Sequence, residues 1–164
     1  MEINPLEDGV THINVYSRGR TEIGQLCSNF AHTPFVHPEY GRFDTIEGFW
    51  YWLSLGKKFD EFRTLPGLKC KKLGKSIREG LKLMHVERPN IENFNDQIKQ
   101  AITLKVNQNP KLVSLLKDTD LPLVHYYTYG NVLEGPSKYR VVYPSQFNWI
   151  LEHLESIRDN LKKS

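Results

Sequence analysis

Pro34, Pro38 and Gly41 forbid a helix between Ala31 and Arg42, so the chain must run there as loop and short extended pieces until Asp44. The next segment is the opposite in character. Asp44-Thr45-Ile46-Glu47 has the form of a helix start, with Asp44 as N-cap and Glu47 three residues on, where a capping box reaches back. The helix is predicted from Thr45 to about Leu55, with Gly56 ending it and Ile46, Phe49, Trp50 and Leu53 along one stripe. Tyr51 and Trp52 fall off that stripe. They either pack under a loop or offer a stacking surface to a ring, core packing being the commoner use.

Just upstream, Gln25-Leu26-Cys27-Ser28-Asn29-Phe30 sets a polar pair among apolar neighbours. With a carboxylate opening an aromatic helix shortly after, this reads as a ligand pocket rather than plain core. The bland alternatives are a buried turn, with Ser28 and Asn29 satisfying backbone groups, and a first-turn carboxylate, with Glu47 serving only the helix. At 164 residues one domain with a sizeable core is expected, needing no disulfide or metal to hold it. The net charge of +3 permits an anionic ligand but falls short of a dedicated nucleic-acid arm. Cys27 and Cys70 lack Cys-x-x-Cys spacing and are read as buried thiols.

Val10 to Tyr16 reads as one short strand, and Ser17 to Thr21 as a polar loop. There Arg18 and Arg20 flank a glycine, which leaves the backbone open to a phosphate, although exposed basic loops are ordinary. His32 and His37 have no Cys or carboxylate to complete a ligand set, so no metal is expected. Lys57 to Arg63 reads as a helical turn, and Pro66 suits the first position of a second helix, Gly67 to about Glu79. Its Lys69, Lys71, Lys72, Lys75 and Arg78 form either a solvated face or an attraction for a polyanion. A core helix capped by Asn90 carries Ile91, Phe94, Ile98, Ala101 and Ile102, and a short one comes after it from Pro110 to Lys117. Leu121–Tyr129 and Tyr139–Tyr143 are strand-like, and Pro144-Ser145 opens a last amphipathic helix. Neither a signal peptide nor an apolar run of membrane-spanning length is present, so a soluble, cytoplasmic protein is expected.

The order of these signals resembles the NADAR, or YbiA-like, family. The similarity rests on Ser28-Asn29-Phe30, Thr45-Ile46-Glu47, Leu65-Pro66, Leu73-Gly74-Lys75, the run Lys105-Val106-Asn107-Gln108-Asn109-Pro110-Lys111-Leu112, and Asn148 with Leu154 and Arg158. It covers roughly Tyr16 to Arg158 within a single domain, 1–164. Two departures stand out. The helix position where the family carries lysine is Ser54, which leaves Lys57 or Lys58 as substitutes, and the family's Asp-x-x-Trp-Gly is not kept around Tyr127-Thr128-Tyr129-Gly130.

The resemblance implies a mainly α fold, an orthogonal helical bundle with a few short β-strands. It also implies an N-glycosidase acting on a ribose–base bond, removing ADP-ribose from guanine bases in nucleic acid. A phage relative would thereby counter a host defence, in the host cytoplasm. The alternatives are a catalytically degenerate reader of ADP-ribose or NAD, and a hydrolase of phosphorylated amino-pyrimidine riboflavin intermediates. Glu47 is the expected catalytic group. Ser28, Asn29 and Phe30 are expected to hold ribose or base, Trp50, Tyr51 or Trp52 to stack on the ring, and Arg18, Arg20 and Lys75 to meet phosphates, with Asn148 as a further substrate contact. No cofactor or metal is implied. The partners are an ADP-ribose-type nucleotide and ADP-ribosylated DNA, with no membrane.

Overall fold

A computed structural model describes residues 2–164. The chain is mainly helical with a few short strands and packs as two compact units, 2–28 with 111–164, and 29–110. One unit draws on both ends of the described residues and the other on the middle.

The first unit opens with β1 (Ile13–Asn14) and α1 (Glu22–Cys27). Helix α1 has no counterpart among the sequence expectations; Thr21 caps it by accepting from the Gly24 N–H at 3.0 Å. After α5 (Pro110–Lys117), β4 (Leu123–Val124) runs parallel to β1, pairing Ile13 with Leu123. The long strand expected from Leu121 to Tyr129 is broken, since β5 (Tyr127–Gly130) pairs instead with β6 (Tyr139–Val142) as an antiparallel hairpin. Helix α6 (Asn148–Lys163) buries Ile150, Leu154 and Ile157, and the buried Arg158 donates to the Leu121 carbonyl at 2.7 Å.

A polar network fixes the interior of this unit. Asn14 and Tyr126 exchange side-chain and main-chain hydrogen bonds, each at 3.1 Å, and the Tyr126 hydroxyl lies 2.6 Å from His12 Nε2. Low dielectric makes such a network costly to break once formed.

In the second unit, β2 (Phe35–His37) and β3 (Gly41–Phe43) form an antiparallel hairpin, with Pro34 just before it and Pro38 in its turn. Its outer edge is covered by the Gln-Asn-Pro segment at the end of α4 (Phe94–Asn107). Gln108 accepts from the Val36 N–H at 2.7 Å and donates to the Val36 carbonyl at 3.0 Å, while Asn109 donates to the Pro34 carbonyl at 3.1 Å. An amide side chain thus supplies what a neighbouring strand would.

Helix α2 (Ile46–Ser54) differs from expectation at its start and around its circumference. Thr45, not Asp44, is the N-cap, accepting from the Gly48 N–H at 2.9 Å. The third helical position is therefore Gly48, which has no side chain to reach back, so no capping box forms. The helix is also buried nearly all round: Tyr51 and Trp52 are in the core with Ile46, Phe49 and Leu53, whereas Trp50 is half-buried, edge-on to Phe94 at 5.0 Å. An amphipathic stripe is the wrong template for a helix enclosed on every side.

Helix α3 (Gly67–Leu83) runs a turn longer than expected, with Pro66 just before it rather than at its first position. Helix α4 starts after Asn93, not Asn90, and Asn93 sits at φ 54°, a left-handed conformation that asparagine tolerates. Cys27 and Cys70 are both buried, as expected, and no disulfide joins them.

Candidate functional site

Glu47 stands out in the sequence by its place at a helix start, and the structure gives that place a specific geometry. Residue 47 is the second residue of α2, and its main-chain N–H donates to the Asn29 carbonyl at 2.9 Å. This bond ties the Asn29-Phe30 segment to the first turn of the helix. Asn29 is half-buried, and its side-chain amide makes no hydrogen bond among the described residues. Phe30 lies against α3: a Cβ on Gly67 would stand 2.6 Å from the Phe30 Cα, so only glycine admits this approach.

The contact of α2 with α3 is equally close. A Cβ on Gly74 would meet the Tyr51 ring at 2.2 Å, and the other side of that ring stacks on Phe62 at 5.8 Å. Both faces of Tyr51 are therefore covered, which corrects its expected role as a stacking platform. Its hydroxyl is the group left for chemistry, and the charge of Arg78 on α3 acts on it. Trp52 is likewise committed, donating from Nε1 to Asp60 at 3.0 Å with the Arg63 guanidinium over its ring.

Burial pushes the Glu47 carboxyl up to about 7, with Lys71 and then Lys75 pulling it back. The same burial raises the Tyr51 hydroxyl, with Glu47 adding to the rise and Arg78 opposing it. Burial also takes the Cys70 thiol up to about 11, so it is no nucleophile at neutral pH. Lys71 Nζ stands 5.8 Å from the centre of the Phe30 ring. Asn29, Phe30, Glu47, the Tyr51 hydroxyl, Lys71, Lys75 and Arg78 thus converge where α2 begins against α3. A carboxyl that titrates near neutrality beside two lysines can exchange a proton, and the lysines favour an anion there. Lys71 and Arg78 were not singled out from the sequence as site residues. Their signal was present, since residues 71, 75 and 78 share a helical face at spacings of four and three.

The remaining expected site residues belong to the first unit. Ser28 is buried and ends α1, and Arg18 and Arg20 are exposed. The backbone between the two arginines is not open to a phosphate, contrary to expectation. The Gly19 N–H donates to the Tyr16 carbonyl at 2.9 Å, its carbonyl accepts from Gln25 at 2.7 Å, and the Arg20 N–H donates to the Asp8 carboxylate at 2.8 Å. The chain's own carboxylate occupies that donor. Asn148, exposed in the first turn of α6, lines a cleft of about 310 Å³ with Leu123, His125, Tyr143 and Glu152. His125 is held there as one tautomer, because its Nδ1 stands 2.7 Å from the Val15 carbonyl and must donate to it.

Ser54, at the position of the absent lysine, donates to the Tyr51 carbonyl at 3.2 Å. Lys57 is bonded to the Tyr40 hydroxyl at 2.8 Å and lies over that ring. His37 is buried, with Nδ1 accepting from the main-chain N–H groups of Glu39 and Tyr40 at 3.0 and 3.2 Å. Among the described residues no group of three or more His, Cys, Asp or Glu side chains is placed to hold a metal ion. No helix of the described residues is long and apolar enough to cross a membrane.

No family model matches the sequence, and no curated protein matches it. The fold is similar to that of the E. coli protein YbiA, determined by NMR: the TM-score is 0.61 at 20% sequence identity, over 93% of this chain and 89% of that one. That similarity establishes a YbiA-like fold.

Proposed function

We propose that the chain is a member of the NADAR family and an N-glycosidase, which breaks a ribose–base bond and removes ADP-ribose from guanine bases in nucleic acid. The observation that carries this reading is the Glu47 carboxyl, brought to about 7 by burial while two lysines face it. Cleavage of a ribose C1′–N bond passes through an oxocarbenium-like state, which needs a negative or proton-accepting group beside the anomeric carbon. As the C1′–N bond breaks, its electron pair leaves with the base nitrogen, which takes up a proton from solvent. Water adds to C1′ and gives a proton to the Glu47 carboxylate.

In this reading the Asn29 amide bonds the ribose or base. Lys71 and Lys75 meet the diphosphate, taking the role expected of Arg18, Arg20 and Lys75 together. Arg78 orients the Tyr51 hydroxyl toward the leaving group. Removal of ADP-ribose from nucleic acid is the activity by which a phage-borne copy would oppose a host defence.

One observation favours a second reading, a binder of ADP-ribose or NAD without turnover: Ser54 is bonded to its own helix and Lys57 to Tyr40, so neither stands in for the family's lysine. Incubation of the purified protein with ADP-ribosylated guanosine separates the two. Release of ADP-ribose, lost in Glu47→Gln, is the expected result; tight binding of ADP-ribose with no product overturns the glycosidase reading in favour of the binder.

A further inference from the structure

Helix α3 carries the chain's charge out of proportion to its length. Its 17 residues include Lys69, Lys71, Lys72, Lys75, Arg78 and Lys82 against a single acid, Glu79, whereas the entire chain has a net charge of only +3. Outside α3, acidic residues outnumber basic ones. Four of the six basic residues are in register. Positions 71, 75, 78 and 82 succeed one another at spacings of four, three and four, and at about 100° per residue they fall within a stripe roughly 60° wide. The stripe is about 16 Å long at about 1.5 Å per residue. An exposed helix that merely stays in solution usually alternates charge and forms pairs one turn apart. Among the described residues no ion pair forms on α3, although Glu79 lies one turn from both Lys75 and Lys82.

The stripe also has a defined end. Lys71 and Lys75 act on the Glu47 carboxyl, Arg78 acts on the Tyr51 hydroxyl, and Lys82 is exposed in the last turn. A row of cations leading away from a half-buried carboxyl is complementary to a ligand with one group in the site and a series of anions extending from it. A sugar-phosphate backbone has that form. A base stacked inside a duplex cannot reach a half-buried carboxyl, so the strand must be single or its nucleotide extruded.

We infer that the Lys71, Lys75, Arg78 and Lys82 flank of α3 is a track for the backbone of a single-stranded nucleic acid whose modified nucleotide lies at Glu47. The inference rests on the proposed function only for what occupies Glu47; the track itself is a statement about phosphate contacts.

The test is a salt titration with an unmodified single-stranded oligodeoxynucleotide of about twelve nucleotides, within the span single-strand sites cover. Four phosphate contacts give a slope of log affinity against log salt near −3, at about −0.7 per contact. Lys82→Gln, with its fold checked by circular dichroism, should weaken binding several-fold at low salt and reduce the slope by about 0.7. Lys138→Gln makes the same charge change at an exposed residue of the other unit and should leave the slope unchanged. Equal losses in both variants would mean that net charge alone draws the strand, and would overturn the track. Tighter binding of the matching duplex would overturn the single-strand assignment. Absence of oligonucleotide binding at low salt overturns the inference even where ADP-ribosylguanosine is cleaved, whereas binding with the expected slope in a protein that cleaves no glycoside supports the track and removes the function proposed above.

Discussion

The main-chain N–H of Glu47 donates to the carbonyl oxygen of Asn29 at 2.9 Å. The two segments that form the candidate site are therefore joined through backbone atoms, and the Asn29 side chain is not what holds them. Asn29→Ala should leave stability to urea within about 0.5 kcal/mol of wild type. It should weaken ADP-ribose binding by up to roughly tenfold, the worth of one hydrogen bond of about 1 kcal/mol. A loss of stability above about 2 kcal/mol in denaturant titration would instead make Asn29 a structural residue.

Glu47→Gln should lower turnover of an ADP-ribosylated guanosine by roughly a hundredfold or more with binding retained. Its effect on stability has a definite sign. Burial raises the folded-state pKa from the ordinary 4.5 to about 7, so between those values the folded chain keeps a proton that the unfolded chain has released. The stability contributed by this group is complete below about pH 4.5 and lost as the pH rises through about 7. The neutral amide escapes that loss. Glu47→Gln should therefore be the more stable protein at pH 8, by roughly 1–2 kcal/mol once partial exposure is allowed for, and the difference should shrink toward pH 5. Thermal melts at the two pH values measure it.

Burial acts in the other direction on His12, His37 and His125, holding each below its ordinary 6.5. Their contribution is complete above about pH 6.5 and lost as the pH falls through their lowered values. In wild type the proton held by Glu47 offsets part of this acid-side loss. The fall in stability from pH 6.5 to 5 should accordingly be steeper in Glu47→Gln, and equal slopes in the two proteins would argue against a raised Glu47.

Gly74→Ala should cost about 2 kcal/mol or more, because the added Cβ would stand 2.2 Å from the Tyr51 ring with Phe62 behind it. Gly80→Ala on the same helix meets nothing within 4 Å and should stabilise by about 0.5–1 kcal/mol. Opposite signs for one chemical change on one helix, read by denaturant titration, test the close approach of α2 and α3.

Tyr126→Phe should cost about 1–3 kcal/mol, since it leaves a buried His12 nitrogen without the hydroxyl now 2.6 Å away. A change below about 0.5 kcal/mol would mean that the network contributes little.

What the sequence made legible obeyed the rules of local chemistry. Pro34, Pro38 and Gly41 excluded a helix where two short extended pieces form, and the apolar spacing of Ile98, Ala101 and Ile102 placed α4. Misreadings arose where distant residues decided the outcome. Asp44 resembles an N-cap, but its N–H donates to the Arg63 carbonyl, and Thr45 takes the cap one residue later. Tyr51 looked available because it lies off the expected stripe, and only the glycine on α3 shows why it is enclosed. The absence of a side chain at Gly48 has a similar cause, since a Cβ there would stand 2.2 Å from the Phe62 carbonyl oxygen. Of the candidate site, Glu47, Asn29 and Lys75 were legible. Lys71 and Arg78 were hidden within a basic run until α2 showed which flank of α3 faces it.

The pairing of β1 with β4, and the exchange of hydrogen bonds between Asn14 and Tyr126 across 112 residues, bear on how the protein is made. On the ribosome residues 12–14 emerge before residue 126, so His12 and Asn14 cannot find their buried partner until Tyr126 has left the exit tunnel. The middle unit is one continuous stretch, residues 29–110, and has emerged in full before that. Order of emergence and order of assembly are therefore reversed for this pair of residues: His12 and Asn14 emerge ahead of the middle unit but meet Tyr126 only after it, across a long loop that is costly to close.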